Sequence, residues 1–144
     1  MILLDTNVLS EVTRTKPAPQ VLAWINDLRA TTVYVSSVTE AELLLGVALL
    51  PAGKRRNTLA AQVGTLLTTF FPQRCLPFDS RAAAHYAQIV SHRQRIGRPI
   101  STEDAQIAAI TISRGYQLAT RNISDFANIE ALSIVNPWDF KKPL

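Results

Sequence analysis

Acidic residues at four separate places carry the chemistry this chain can offer. Asp5 follows the apolar run Ile2-Leu3-Leu4, and Glu40 and Glu42 lie two apart in Ser37-Val38-Thr39-Glu40-Ala41-Glu42. Glu103 and Asp104 follow Ser101-Thr102, while Asn122 and Asp125 belong to Thr120-Arg121-Asn122-Ile123-Ser124-Asp125-Phe126. Two carboxylates about 4 Å apart repel by roughly 4 kcal/mol at an effective dielectric near 20, so several brought together need a cation or shared protons. Oxygen-only ligation favours Mg²⁺ or Mn²⁺ over zinc. In a chain whose net charge is +4, such a pocket points to phosphodiester chemistry. A metal there activates a water, stabilises the leaving oxygen and bridges a negative pocket to a negative substrate.

Each acid also has an ordinary structural reading. Asp5 after a short strand suits a turn or a helix N-cap. Ser37-Val38-Thr39-Glu40 fits a capping box, with Ser37 as N-cap and Glu40 reaching back to its backbone. Two residues on a helix span about 200°, so Glu40 and Glu42 cannot face one pocket, and Glu42, without a capping role, is the functional candidate. Glu103 and Asp104 both suit the first turn of a helix, and helical geometry does not separate them. Asn122 and Asp125 each offer oxygen, and Thr120 a hydroxyl.

The elements that must position these residues alternate along the chain. Strand-like runs at Ile2 to Leu4, Val33 to Ser36, Cys75 to Phe78, Gln117 to Ala119 and Leu132 to Val135 are separated mostly by helical segments. Those segments are Pro19 to Arg29, Val38 to Leu50, Lys54 to Phe71, Ser80 to Ile96 and Thr102 to Arg114, with a short one near Ile123 to Phe126. The pattern predicts an α/β fold, a mainly parallel sheet covered by helices. The last long helix is apolar nearly all round and is expected to be buried. In a right-handed parallel layout, strand ends and the starts of the following helices share one sheet edge, so Asp5, Glu42, Asp104 and the Thr120 to Asp125 turn converge there.

The 144 residues, 47% of them hydrophobic, suit one domain over residues 1–144. Met1 to Leu4 lacks the basic start and length of a signal peptide and reads as a first strand. One cysteine permits no internal disulfide, in keeping with a reducing cytoplasm, and no apolar run approaches the length that spans a bilayer. Lys54-Arg55-Arg56 and the group Arg93, Arg95 and Arg98 are either solvated helix ends or holders of flanking phosphates.

Met1 to Glu11, Ser36 to Leu43 with Gly46, Asp104-Ala105-Gln106-Ile107-Ala108-Ala109, and Thr120-Arg121-Asn122 with Asp125-Phe126 together resemble the PIN-domain nucleases. The likeness is strongest to the VapC toxins of bacterial toxin-antitoxin pairs, in particular their FitB-like branch. It covers essentially the whole chain, including Asn136-Pro137-Trp138. The resemblance implies a three-layer α/β/α Rossmann-like sandwich with a sheet of about five strands, and a metal-dependent endoribonuclease using Mg²⁺ (or Mn²⁺). It assigns Asp5, Glu42 and Asp104 to the metal and prefers Asp104 over Glu103. Asn122 departs from the Thr-Arg-Asp form of the last motif; either Asp125 supplies the missing charge or a second metal is held loosely until RNA arrives. Thr6 and Thr120 orient water or carboxylates on this reading. The resemblance further implies a homodimer and a cognate antitoxin protein that covers the active-site groove, with operator DNA contacted only indirectly through that antitoxin.

The other reactive side chains have plainer explanations. His85 and His92, seven apart on one helix with no third ligand, suit a core or dimer surface. Asp79 is a helix N-cap, Cys75 a strand residue with no basic partner beside it, and Trp24, Trp138 and the stripe Leu43, Leu44, Val47 core or interface residues. Two other functions compete: a nuclease on DNA or structured nucleic acid, and a PIN-like module that holds RNA or protein without cutting, which Asn122 favours.

Overall fold

The computed structural model of the protein describes residues 1–29 and 32–141. Five strands, β1 (Ile2–Leu4), β2 (Val33–Ser36), β3 (Cys75–Leu76), β4 (Gln117–Ala119) and β5 (Ser133–Val135), form one sheet in the order β3-β2-β1-β4-β5. Every neighbouring pair is parallel, with Leu3 opposite Tyr34 on one side and Leu118 on the other. Among the described residues six α-helices connect and cover them: α1 (Thr6–Val12), α2 (Pro19–Asp27), α3 (Ser37–Ala48), α4 (Lys54–Thr65), α5 (Ser80–Arg95) and α6 (Thr102–Arg114).

Strand alternation divides the interior into two cores. Leu3, Leu76 and Leu118 face α5 and α6, where Ala82, Ile89, Ala105, Ala108 and Ile110 fill one layer. Their neighbours Leu4, Val33, Val35 and Ala119 turn the other way, against Val8 and Leu9 of α1, Val21 and Trp24 of α2, and Leu66 and Phe71. Helices on both faces of a parallel sheet make the expected three-layer α/β/α sandwich. The buried character of α6 is as its composition predicts, since Ala105 and Ile107 to Thr111 are all buried. Gly115, at φ 69°, ends that helix in the left-handed conformation that glycine adopts without steric cost.

Local differences from the expected elements each have a physical cause. Helix α1 is absent from the sequence reading because its seven residues show too little periodicity, opening on Thr6 and Asn7. β3 stops at Leu76 because Pro77 has no N–H for the ladder. The helix expected over Lys54 to Phe71 is regular only to Thr65 and widens into a π turn over Leu66–Phe70; within it Thr68 Oγ1 donates to the Gly64 carbonyl at 2.8 Å, a local bond that competes with the helical ladder. The N-cap of α3 is Ser36, not Ser37: its Oγ accepts from the Thr39 amide at 3.1 Å. Glu40 therefore has no part in a capping box, and its Oε2 instead accepts from the Cys75 thiol at 3.1 Å.

The basic group at the end of α5 is also corrected. Arg93 is neither solvated nor free for phosphate; it is buried, donating from Nε to the Arg98 carbonyl and from Nη1 to the carbonyls of Asp125 and Ala127, both at 2.9 Å. It clamps the loop after α5 and the turn after β4 onto the helix. No described helix is long and apolar enough to cross a membrane.

Candidate active site

The carboxyl ends of β1 and β4 lie side by side, joined by the Asp5 amide donating to the Ala119 carbonyl at 2.9 Å. Asp5 caps α1, with Oδ1 accepting from the Thr6 amide at 2.8 Å, so the N-cap role and a place in the site belong to the same residue. Its Oδ2 accepts from the Thr120 hydroxyl at 2.8 Å and from Asn7 Nδ2 at 3.0 Å. Asn7 also donates to Thr120 Oγ1 and accepts from the Arg121 amide, while the Asn122 amide donates to Thr120 Oγ1. These bonds lock the two strand ends together around a carboxylate only 4% exposed.

Glu42 reaches this place from the second turn of α3. Its Oε1 accepts from the Thr6 hydroxyl at 3.0 Å, and Thr6 Oγ1 lies 3.0 Å from the buried Thr39 hydroxyl. Because the single Thr6 proton goes to Glu42, Thr39 must be the donor to Thr6. Asp104 stands in the first turn of α6, whose N-cap Ser101 accepts from the Asp104 amide at 3.1 Å. Asp104 is half-buried and lines the pocket, whereas Glu103 is exposed and outside its lining. Glu40 lies on the other side of α3, as the 200° separation requires.

Asp5, Glu42, Asp104 and Asn122 share the wall of one open pocket of about 480 Å³. Asp125 is exposed, outside that lining, yet near enough for its charge to act on Asp104. Burial raises the pKa of Asp5, and the Glu42 charge adds to the rise. Glu42 is raised by desolvation of its carboxyl and then by Asp104 and Glu103. Asp104 is raised by burial and then by Asp5, Asp125 and Glu103. Among the described residues the ion pairs are Arg14 with Glu11 and Arg114 with Asp79, so none of the three acids is neutralised by a base.

Among the described residues no three His, Cys, Asp or Glu side chains already close into a metal cage. The donors instead ring an open pocket as oxygen-only ligands under mutual repulsion, a set chemically suited to a hard divalent cation with water in its remaining positions.

Several pocket residues were not singled out from the sequence. Asn7 is the hub described above. Glu11 is buried, accepting from Arg14 Nη1 at 3.1 Å and from the Ala18 amide at 3.2 Å; its spacing of three from Arg14 was the available signal. Arg121 lies over the Trp138 ring, 5.0 Å from its centroid, within cation–π range. Trp138 thus packs on the core, as expected, and also forms pocket wall. Cys75 is a half-buried strand residue whose thiol is pushed up to about 12 by burial and by the Glu40 carboxylate, which removes it as a nucleophile. Asp79 caps α5, accepting from the Ala82 amide at 3.1 Å.

Comparison with known proteins places this architecture. Toxin FitB of Neisseria gonorrhoeae is 43% identical over 138 residues, 96% of this chain and 99% of that protein. VapC ribonuclease Y4jK of Sinorhizobium fredii is 40% identical over 139 residues, with the same coverage. The solved structure of FitAB bound to an IR36 DNA fragment superimposes over 100% of both chains with a TM-score of 0.90 at 40% identity. The PIN domain model matches residues 2–132, and the chain belongs to the PIN domain family.

Proposed function

We propose that this chain is a Mg²⁺- or Mn²⁺-dependent endoribonuclease, the toxin of a bacterial toxin-antitoxin pair, hydrolysing RNA phosphodiester bonds in the cytoplasm. The observation that carries this reading is the convergence of Asp5, Glu42 and Asp104, each raised in pKa and none neutralised by a base. Its relatives include a protein named a toxin and one named a ribonuclease. Asp5, Glu42 and Asp104 would hold the metal, with Asp125 contributing charge from outside the pocket wall.

A bound Mg²⁺ or Mn²⁺ supplies the positive charge that acidifies an attacking water and offsets charge on the leaving oxygen. Thr120 and Asn7 fix the Asp5 carboxylate in one orientation. Thr6, itself held by Thr39, does the same for Glu42. Asn122 and Arg121 line the same pocket and would offer N–H donors to the substrate phosphate. The partners on this reading are RNA, a second copy of the chain and a cognate antitoxin. Leu44 and Leu45 of α3 and Leu49 just past its end, between 49% and 75% exposed, give the second copy an apolar face.

Comparing cleavage of a single-stranded RNA with that of DNA of the same sequence, in Mg²⁺, tests the substrate class. RNA is cut and DNA is not; equal cutting of both would replace the ribonuclease reading with a general nuclease.

The carboxylates also predict a pH-dependent response to metal. Their raised pKa values mean that the folded, metal-free protein binds protons more tightly than the unfolded chain. These groups therefore stabilise it most below the ordinary carboxylate range and lose that contribution as pH rises through the raised values. A cation restores what ionisation removes. At one hundred times its Kd, Mn²⁺ should raise Tm by about 5–10 °C at pH 7.5 and by much less at pH 4.5. Equal shifts at both pH values in differential scanning fluorimetry would rule out binding at these acids.

A further inference from the structure

Beside the acid pocket, with Arg14 in the lining of both, lies a second, wider hollow of about 990 Å³ between the end of α1 and the start of α4. Its walls carry Arg14 and Lys16 on one side and Lys54 and Arg55 on the other, with no acidic residue in the lining. All four basic residues are exposed. The two hollows share Arg14, whose exposed guanidinium is paired with the buried Glu11 carboxylate at 3.1 Å. The Glu11 carboxylate is buried and accepts from Arg14 Nη1 with both oxygens, so the pair stays made and fixes Arg14 at the junction, where its remaining N–H donors face a phosphate.

We propose that this basic hollow is the binding track for the RNA strand on one side of the scissile phosphate, with Arg14 at the junction. The inference rests on the ribonuclease reading and adds to it a direction along the substrate. A pocket of unneutralised carboxylates repels a polyanion, so substrate must be retained by charge placed beside it. Arg93 is committed to main-chain carbonyls, which leaves Lys54 and Arg55 as the part of the basic sequence clusters that reaches a groove joined to the acids. Thr13, Thr15, Thr58 and Gln62 line the same walls and offer hydroxyl and amide groups to sugar 2′-hydroxyls. The track is one-sided: besides Arg14, the described lining of the acid pocket holds a single cation, Arg121, stacked on Trp138.

The test uses a fluorescently labelled single-stranded RNA of twelve nucleotides, the full chain, and the double variant Lys54→Ala/Arg55→Ala. Both side chains are exposed, and Arg81→Ala/Arg95→Ala removes the same charge from exposed positions on α5. Anisotropy in EDTA reads binding without cutting. The groove variant should weaken binding about tenfold and reduce the slope of log K against log salt by about 1.4, at roughly 0.7 per lost phosphate contact on a single strand. The α5 variant should change both far less. In Mg²⁺, KM should rise with kcat unchanged, and shortening the RNA on one flank only should reproduce the rise. Loss of binding in the groove variant supports the track even if the wild type cuts no RNA, in which case only the ribonuclease reading fails. Cutting by the wild type with binding, salt slope and KM all unchanged in the groove variant overturns the track and leaves the hollow to an acidic protein segment.

Discussion

Asp5→Asn should lower the rate of RNA cleavage by about a thousandfold while the chain remains folded. Each factor of ten is 1.36 kcal/mol of barrier, and the charge stabilisation supplied through a metal ligand is worth several kcal/mol. Asparagine keeps the size of the side chain and remains a good N-cap for α1. It removes the negative charge and turns an amide toward a cluster of donors, since Oδ2 of Asp5 now accepts from both Thr120 and Asn7. Cleavage assays at saturating RNA, with circular dichroism to confirm folding, check this. A folded variant that cuts within tenfold of wild type would remove Asp5 from the chemistry.

Arg93→Met should be the most destabilising single substitution outside the apolar cores. Methionine replaces the stem but leaves the carbonyls of Arg98, Asp125 and Ala127 without their donors. An unsatisfied buried polar group costs about 1–3 kcal/mol, so a loss of about 3–5 kcal/mol is expected, with Tm falling by about 10 °C or more. The damage should spread to catalysis, because the same clamp holds the turn that carries Asn122. Arg93→Lys keeps the charge but not the planar fork and should fall between the two. Urea unfolding gives the loss directly; a change below about 1 kcal/mol in Arg93→Met would mean that water satisfies these carbonyls and the clamp is not structural.

Much of the fold was legible because the strands and the buried helix α6 carry their burial in their own composition. The convergence of Asp5, Glu42 and the start of α6 followed from strand and helix ends sharing one sheet edge, the choice of Asp104 over Glu103 came from the family resemblance, and the separation of Glu40 from Glu42 followed from helical rotation alone. What escaped was set by partners distant in the chain. Arg93 looks like any other arginine at a helix end, since its partners at Asp125 and Ala127 lie 32 and 34 residues away. The role of Glu40 depended on β3 bringing Cys75 alongside α3, and a capping pattern one residue out of register hid it. Asp125 reads in sequence as a fourth acid beside Asn122, and the short helix Ile123–Phe126 holds it where its charge acts on Asp104. Asn7 was overlooked because two of its three bonds, those with Thr120 and Arg121, exist only once β1 and β4 are neighbours.

The central claim, that these acids make a metal-dependent ribonuclease, is tested most directly by cleavage of one defined single-stranded RNA. Wild-type protein freed of any antitoxin would be assayed in Mg²⁺, in Mn²⁺ and in EDTA. Internal cutting with either metal, abolished by EDTA and restored by adding metal back, is the predicted result. Cutting that persists undiminished in EDTA would contradict the account.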